Sequence, residues 1–150
     1  MRIAAVIVLA FLTAMPATAA APSVEDLFQQ FGLFGTWAAD CQQPATPGNP
    51  YVSITMPTPG LVLEDHDLGP DFAINRYSVL AAERVSAERL SVEVIFQPGA
   101  AGEERQKLVF LIRNDTWRTM FNQANGGPVR VKDGIALAHH TKTPLLRKCG

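Results

Sequence analysis

The 150-residue sequence lacks the short motifs that mark common enzymes and nucleotide-binding proteins. It contains no Gly-x-Ser-x-Gly nucleophile motif, no Cys-x-x-Cys pair and no glycine-rich phosphate-binding loop. Its 13 lysines and arginines nearly balance 14 aspartates and glutamates, and no run of basic residues occurs. Nucleic-acid-binding proteins usually show a basic patch, so we expect no nucleic-acid partner. We also expect no cofactor, and the lack of catalytic motifs favours a protein that is not an enzyme over one that is.

Long hydrophobic runs are scarce as well, and the one present lies at the N-terminus. Arg2 precedes an almost unbroken apolar run over residues 3–12, and Ala17-Thr18-Ala19 gives the pattern of small residues at a signal-peptidase site. A membrane-spanning helix needs about 20 apolar residues, more than this run supplies. We therefore predict a signal peptide over residues 1–19, cleaved after Ala19 or Ala20, with an uncleaved interfacial helix as the alternative. The mature chain is expected to be periplasmic or secreted, without an integral membrane segment.

Cysteine is rare, with Cys41 and Cys149 as the only two in the chain. Two cysteines in an exported chain predict one disulfide bond, because export places them in an oxidising compartment. Two free buried thiols are the alternative. The expected bond joins the start of the mature domain to its end and has no redox role.

One short helix is predicted over residues 22–34. Ser23 is a suitable N-cap, and Asp26 stands at the third helical position, where it completes a capping pattern. Apolar residues recur at helical spacing and form one stripe that we expect to pack on the rest of the domain, namely Val24, Leu27, Phe28 and Phe31.

Period-two patterns replace the helical period after Gly35 and predict a β domain over residues 35–150. The clearest alternation runs over residues 89–97, where Leu90, Val92, Val94 and Phe96 share a face. Asn114-Asp115 and Asp133-Gly134 are typical two-residue hairpin turns. The second turn is expected to join strands over residues 129–132 and 135–139. Eight or nine short strands with local connections predict an all-β fold, an antiparallel up-and-down barrel of about eight strands. A closed barrel has no exposed edges, so we expect a monomer.

At Phe34-Gly35-Thr36-Trp37 the chain resembles the calycin and lipocalin superfamily. In that family a short helix leads into a Gly-x-Trp on the first strand, so the resemblance implies that Gly35 and Trp37 close the barrel floor. It also implies an arginine from a late strand over the tryptophan, with Arg118 and Arg130 as candidates. Ligand binding inside the barrel follows by the same analogy. The interior residues expected to line such a cavity are Val92, Val94, Phe110 and Phe121.

Two further resemblances concern the ends of the domain. The Gly-x-Trp motif also resembles that of small periplasmic barrels that inhibit metalloproteases. The start Gly35-Thr36-Trp37 with Cys41, and the end Thr143-Pro144 with Lys148-Cys149, resemble a group of small exported bacterial proteins of unknown function.

The densest polar cluster is Glu64-Asp65-His66-Asp67. On a strand, Glu64 and His66 share one face while Asp65 and Asp67 share the other. The simplest interpretation is a solvated strand end, since charged residues are mostly exposed. Glu64, His66 and His139 are the candidates for a metal site, although their spacing does not demand one and no metal is expected.

Three functions remain open from the sequence. The first is an exported, non-enzymatic barrel that binds a small apolar ligand or a protein partner in the cell envelope. The second is a periplasmic protease inhibitor that inserts an exposed N-terminal segment, residues 20 to about 27, into a protease cleft. The third is a metal-binding protein or hydrolase that uses His66 together with His139 or His140. The absence of catalytic motifs and the fold analogy favour them in that order.

Overall fold

The structure is a computed structural model that describes residues 20–150, so the predicted signal peptide lies outside the described residues. The described chain is all-β, as predicted, with one short helix and a closed antiparallel barrel of eight strands. The helix α1 spans Val24–Gln30. The strands are β1 (Gly35–Ala38), β2 (Tyr51–Thr58), β3 (Leu61–Asp67), β4 (Asn75–Arg84), β5 (Arg89–Phe96), β6 (Glu104–Arg113), β7 (Thr116–Ala124), β8 (Val129–Lys132), β9 (Ile135–Ala136), β10 (Thr141–Lys142) and β11 (Leu146–Cys149).

The barrel is closed by the C-terminal strand and not by the hairpin that precedes it. Strands β1 to β7 pair in sequence order, and β11 pairs with both β7 and β1. Strand β8 pairs with the later half of β7, where Asn122 lies opposite Val131. Strands β8 to β10 are therefore an extension beside the barrel. The strand expected over residues 135–139 ends at Ala136, and His139 lies in the turn that follows.

Both predicted hairpin turns are present. Asn114 and Asp115 have φ values of 50° and 55°, and Asp133 and Gly134 have φ values of 52° and 74°. Two consecutive residues with positive φ are characteristic of a type I′ turn, whose twist matches the flanking strands.

Helix α1 is shorter than the predicted span, and the structure shows why. Ser23 and Asp26 form the capping box at the start, with Asp26 N donating to Ser23 Oγ over 3.1 Å. At the other end Gly32 has φ of 64°, and Leu33 N donates to Phe28 O over 2.9 Å. This bond and the left-handed glycine form a Schellman motif, which ends the helix.

The helix packs on the barrel through its apolar stripe. Leu27 and Phe28 are 1% and 0% exposed, and Val24 and Phe31 pack against the same core at partial burial. The guanidinium of Arg84, at the end of β4, lies 4.5 Å above the centre of the Phe31 ring. A helix of this length is not stable in isolation, so these contacts hold it in place.

Trp37 lies in the core at the end of the barrel that α1 covers. Its indole Nε1 donates to Leu33 O over 2.7 Å, and its ring meets Trp117 edge-on at 6.0 Å. The cation over the Trp37 ring is Lys148 on β11, at 5.5 Å. The two arginines implied by the resemblance have other partners: Arg118 donates to Thr143 O and Arg130 pairs with Glu104.

Gly35 has a steric reason to be glycine. Its φ is 122°, and a Cβ there would lie 3.1 Å from Lys148 Cε. This backbone conformation is costly for residues with a side chain. The positive φ therefore explains the glycine of the Gly-x-Trp motif, since the end of the flexible Lys148 side chain could move aside.

The predicted disulfide joins Cys41 to Cys149. It connects the loop after β1 to the last residue of β11, and these two strands are already hydrogen-bonded neighbours. Within residues 20–150, α1 is the sole helix, and it is far too short to cross a bilayer.

Candidate functional site

The two ends of the barrel differ. Helix α1 and the side chains of Leu27, Phe28 and Leu33 fill the end where β1 begins. The opposite end, where β3 finishes and β4 begins, contains a pocket of about 200 Å³. We call it the open-end pocket. Its lining consists of Pro50, Val52, Glu64, His66, Leu68, Tyr77, Leu108, Trp117, Arg118, Thr119, Asn122, Val131, Thr143, Pro144 and Leu146.

Trp117 marks the boundary between the open-end pocket and the filled core. It is 1% exposed and packs edge-on against Phe110 at 5.0 Å. Leu108 is the next inward-facing residue of β6 from Phe110 toward the open end; it lines the pocket and is 6% exposed. Aromatic and aliphatic side chains therefore form a closed, apolar base to the pocket.

Glu64 and His66 form a close pair in the wall of the pocket. Glu64 is only 2% exposed, and its Oε1 lies 2.5 Å from His66 Nε2. The expectation of a solvated strand end is wrong for this face of β3. The outer face carries the exposed charge instead: Asp65 pairs with Arg76 on β4 at 2.6 Å. The two pairs lie on opposite sides of the sheet because successive side chains of a strand point to opposite faces.

Tyr77 on β4 lies directly opposite Glu64 in the β3–β4 register. Its ring centre is 5.0 Å from that of His66 and 5.0 Å from that of Phe96. Burial raises the pKa of Tyr77 well above its ordinary value, and the nearby Glu64 carboxylate adds to the effect. The hydroxyl is accordingly neutral in the physiological range and can both donate and accept hydrogen bonds.

A chain of polar side chains runs from the rim of the barrel into the open-end pocket. The Arg130 guanidinium donates two hydrogen bonds to the Glu104 carboxylate, of 2.6 and 2.8 Å. Gln106 Nε2 then donates to Glu104 Oε1 over 2.7 Å, and Asn122 Nδ2 donates to Gln106 Oε1 over 2.9 Å. Because an ionised carboxylate only accepts hydrogen bonds, Glu104 sets the direction of the whole chain.

Three buried polar atoms on β7 have no hydrogen-bond partner among the described residues: Trp117 Nε1, Arg118 Nε and Asn122 Oδ1. All three residues line the open-end pocket. A buried polar group without a partner costs about 1–3 kcal/mol, and native proteins contain few of them. This wall is therefore suited to hydrogen bonding with a polar molecule in the pocket.

Strand β11 pairs with the first half of β7 and β8 pairs with the second, which leaves a gap in the barrel wall beside these atoms. Thr143, just before β11, bridges this gap. Its Oγ1 donates to Thr119 O over 2.7 Å, and its backbone N donates to Gly134 O over 2.8 Å. Arg118 Nη2 donates to Thr143 O over 2.5 Å. These bonds hold the connection before β11 against the pocket.

The residues expected to line a cavity lie elsewhere. Val92, Val94 and Phe110 are at most 1% exposed and belong to the filled core. Phe121 lies with Met120 and Val129 in a groove outside the barrel. The register of β6 and β7 shifts between Val109 and Phe110, which places Phe121 opposite the outward-facing Val109.

Sequence reasoning missed most of the polar residues of the open-end pocket. One signal was available for the polar chain that reaches the pocket, because Gln106, which bonds to Asn122, shares its strand face with Leu108 and Phe110. Nothing in the local pattern points to Asn122 in the same way, since the bulge in β7 precedes it.

The metal candidates are divided between two places. Glu64 and His66 are in contact in the pocket wall, whereas His139 is exposed in the turn after β9. In the part of the chain that the structure describes, no three His, Cys, Asp or Glu side chains are grouped closely enough to hold a metal ion.

Comparison with models of known protein families, with curated proteins and with solved structures gives no significant match to this chain. The functional argument therefore depends on the geometry of the open-end pocket.

Proposed function

We propose that the protein is an exported, non-catalytic barrel that binds a small, largely apolar molecule in the open-end pocket. The observation that carries this proposal is the difference between the two barrel ends. One end is filled by α1, while the other keeps a pocket of about 200 Å³ with an apolar base and polar groups on its walls. A concave apolar site with a few polar groups is the usual form of a small-molecule site. The disulfide supports export, because such bonds persist in oxidising compartments.

The size of the pocket limits the ligand. Sites for drug-sized molecules usually measure about 300–1,000 Å³, so this pocket suits a smaller molecule. Val52, Leu108 and Leu146 offer contacts to an aliphatic or aromatic body, and Glu64, Asn122 and Arg118 offer contacts to a polar group.

The contacts of α1 do not favour the inhibitor hypothesis. An inhibitor of that kind needs a mobile N-terminal segment to enter a protease cleft. Here Leu27 and Phe28 are buried in the core, and among the described residues only 20–23 precede the docked helix. An envelope protein remains the partner to consider if the pocket carries no ligand.

Two valines of β8 give a matched test. The register of β7 and β8 shifts so that Val131 lies opposite Asn122 and Val129 lies opposite Gln123. Val131 lines the open-end pocket, whereas Val129 lines the outer groove. Both are half-buried, so Val131→Trp fills the pocket and Val129→Trp serves as the control.

Native mass spectrometry of the three proteins, taken from cells under non-denaturing conditions, gives the readout. We expect a small-molecule adduct on the wild type and on Val129→Trp, and its loss from Val131→Trp. Equal adducts on all three proteins, or none on the wild type, would rule out ligand binding in this pocket and leave a protein partner.

A further inference from the structure

We propose that the ligand of the open-end pocket has a positively charged, hydrogen-bond-donating nitrogen group, such as a primary ammonium, that docks on the Glu64 carboxylate. This inference rests on the proposed function and specifies the chemical class of its ligand.

The first argument is the state of Glu64. Its side chain is 3% exposed and lines the pocket, and its one hydrogen-bonded or ionic contact among the described residues is His66 Nε2. An ionised carboxylate can accept about four hydrogen bonds. His66 occupies one of these positions, so the buried carboxylate keeps acceptor positions that a cationic donor in the pocket can fill.

The second argument is the direction of the polar chain from the rim. Since Glu104 accepts from Gln106 Nε2, Gln106 Oε1 must accept from Asn122 Nδ2. Flipping the Asn122 amide would direct two acceptors at each other. The chain therefore keeps Asn122 Oδ1 as an acceptor without a partner, on a residue that lines the pocket. A ligand N–H group supplies the donor that this atom lacks.

The third argument is the aromatic surroundings. His66, Tyr77 and Trp117 line the same pocket as Glu64. Faces of tyrosine and tryptophan rings attract cations, and cages of such rings are a known form of ammonium-binding site. The Glu64 carboxylate also acts on Tyr77 at this side of the pocket, because its charge contributes to the raised pKa of Tyr77.

Two groups on β7 favour a ligand with an acceptor or a negative charge, because Trp117 Nε1 and Arg118 Nε are buried donors without a partner among the described residues. The Nη2 of Arg118 donates to Thr143 O over 2.5 Å, so only that part of the guanidinium is already hydrogen-bonded. An anionic ligand paired with Arg118 is thus the competing outcome of the test.

The test uses three probes with the same five-carbon chain: pentylammonium, 1-pentanol and hexanoate. Each is titrated into the ¹⁵N-labelled protein with its disulfide intact, and dissociation constants are taken from chemical-shift changes of residues around the pocket. We expect pentylammonium to bind most tightly. Because it forms a charge-assisted hydrogen bond, pentylammonium should have an affinity about tenfold or more higher than that of 1-pentanol.

Two variants locate the effect. Glu64→Gln preserves the shape of the side chain and removes its charge, so pentylammonium binding should weaken about tenfold or more while 1-pentanol is little affected. Asp65→Asn removes the same charge one residue away, on the outer face, where Asp65 pairs with Arg76. It should leave the affinity for pentylammonium unchanged within about twofold.

The outcomes separate the two proposals. If hexanoate or 1-pentanol binds as tightly as pentylammonium, the ammonium inference is wrong but the pocket still binds small molecules. If no probe shifts the pocket residues, both proposals fail. The ranking of the probes on the wild type decides the matter even if Glu64→Gln does not fold.

Discussion

Replacing Phe28 with alanine tests whether α1 is an integral part of the barrel. Phe28 is 0% exposed, and its ring lies 6.1 Å from that of Phe34 within the core. Truncating a buried phenylalanine to alanine costs about 3–5 kcal/mol, through lost burial and the cavity left behind. A domain of this size is stable by only about 5–15 kcal/mol, so the variant should lose a large part of its free energy of unfolding.

Urea denaturation followed by circular dichroism measures this loss. Gln29→Ala is the matched control, because Gln29 is the next residue of the same helix and is exposed. The control should change the free energy of unfolding by less than about 0.5 kcal/mol. A loss below about 1 kcal/mol for Phe28→Ala would mean that the helix is not docked in solution. That result would support the inhibitor hypothesis, which requires a free N-terminal segment.

Two further predictions concern the disulfide and the tyrosines. Replacing Cys41 and Cys149 together by serine should lower the free energy of unfolding by about 2–5 kcal/mol, because the bond spans 108 residues; equal denaturation midpoints for the oxidised and serine proteins would contradict this. In Tyr51→Phe, Tyr77 is the only tyrosine left of the two. Absorbance titration should then show ionisation well above the ordinary value of about 10, and stability should fall as the pH rises past that value, since the folded state disfavours the phenolate. Ionisation near pH 10 in the folded protein would show that Tyr77 is not buried beside Glu64.

Local signals predicted the fold well where they were strong. The capping pattern at Ser23, the turns at Asn114-Asp115 and Asp133-Gly134, and the alternation over residues 89–97 all correspond to observed elements. Each depends on contacts within a few residues, so sequence spacing is enough to reveal it. The disulfide followed from the rarity of cysteine together with the predicted signal peptide.

The closure of the barrel was harder to predict. The last strand predicted from the sequence covers residues 135–139, whereas Leu146–Cys149 is the eighth barrel strand. This arrangement depends on β7 being shared, with β11 on its first half and β8 on its second. Such a division is a property of long-range pairing, and no local pattern reports it.

The sequence predicted a cavity inside the barrel, but it did not predict which residues line the pocket. Glu64 and His66 were correctly expected to share a face, but both faces of β3 carry carboxylates, so the alternation alone could not show which one points inward. Val62 shares the inward face with Glu64 and is 0% exposed, whereas Asp65 pairs with Arg76 on the outer face. Phe121 was placed inside because a regular strand was assumed, and the register shift at Val109 moves it outside.

The most direct test of the account is a crystal structure of the protein purified from its producing cells without detergent. The account predicts electron density for a bound small molecule in the open-end pocket, in contact with the Glu64 carboxylate and above the Trp117 ring. Side chains of Tyr77 or Leu108 filling that space, or a ligand bound only in the outer groove beside Phe121, would contradict it.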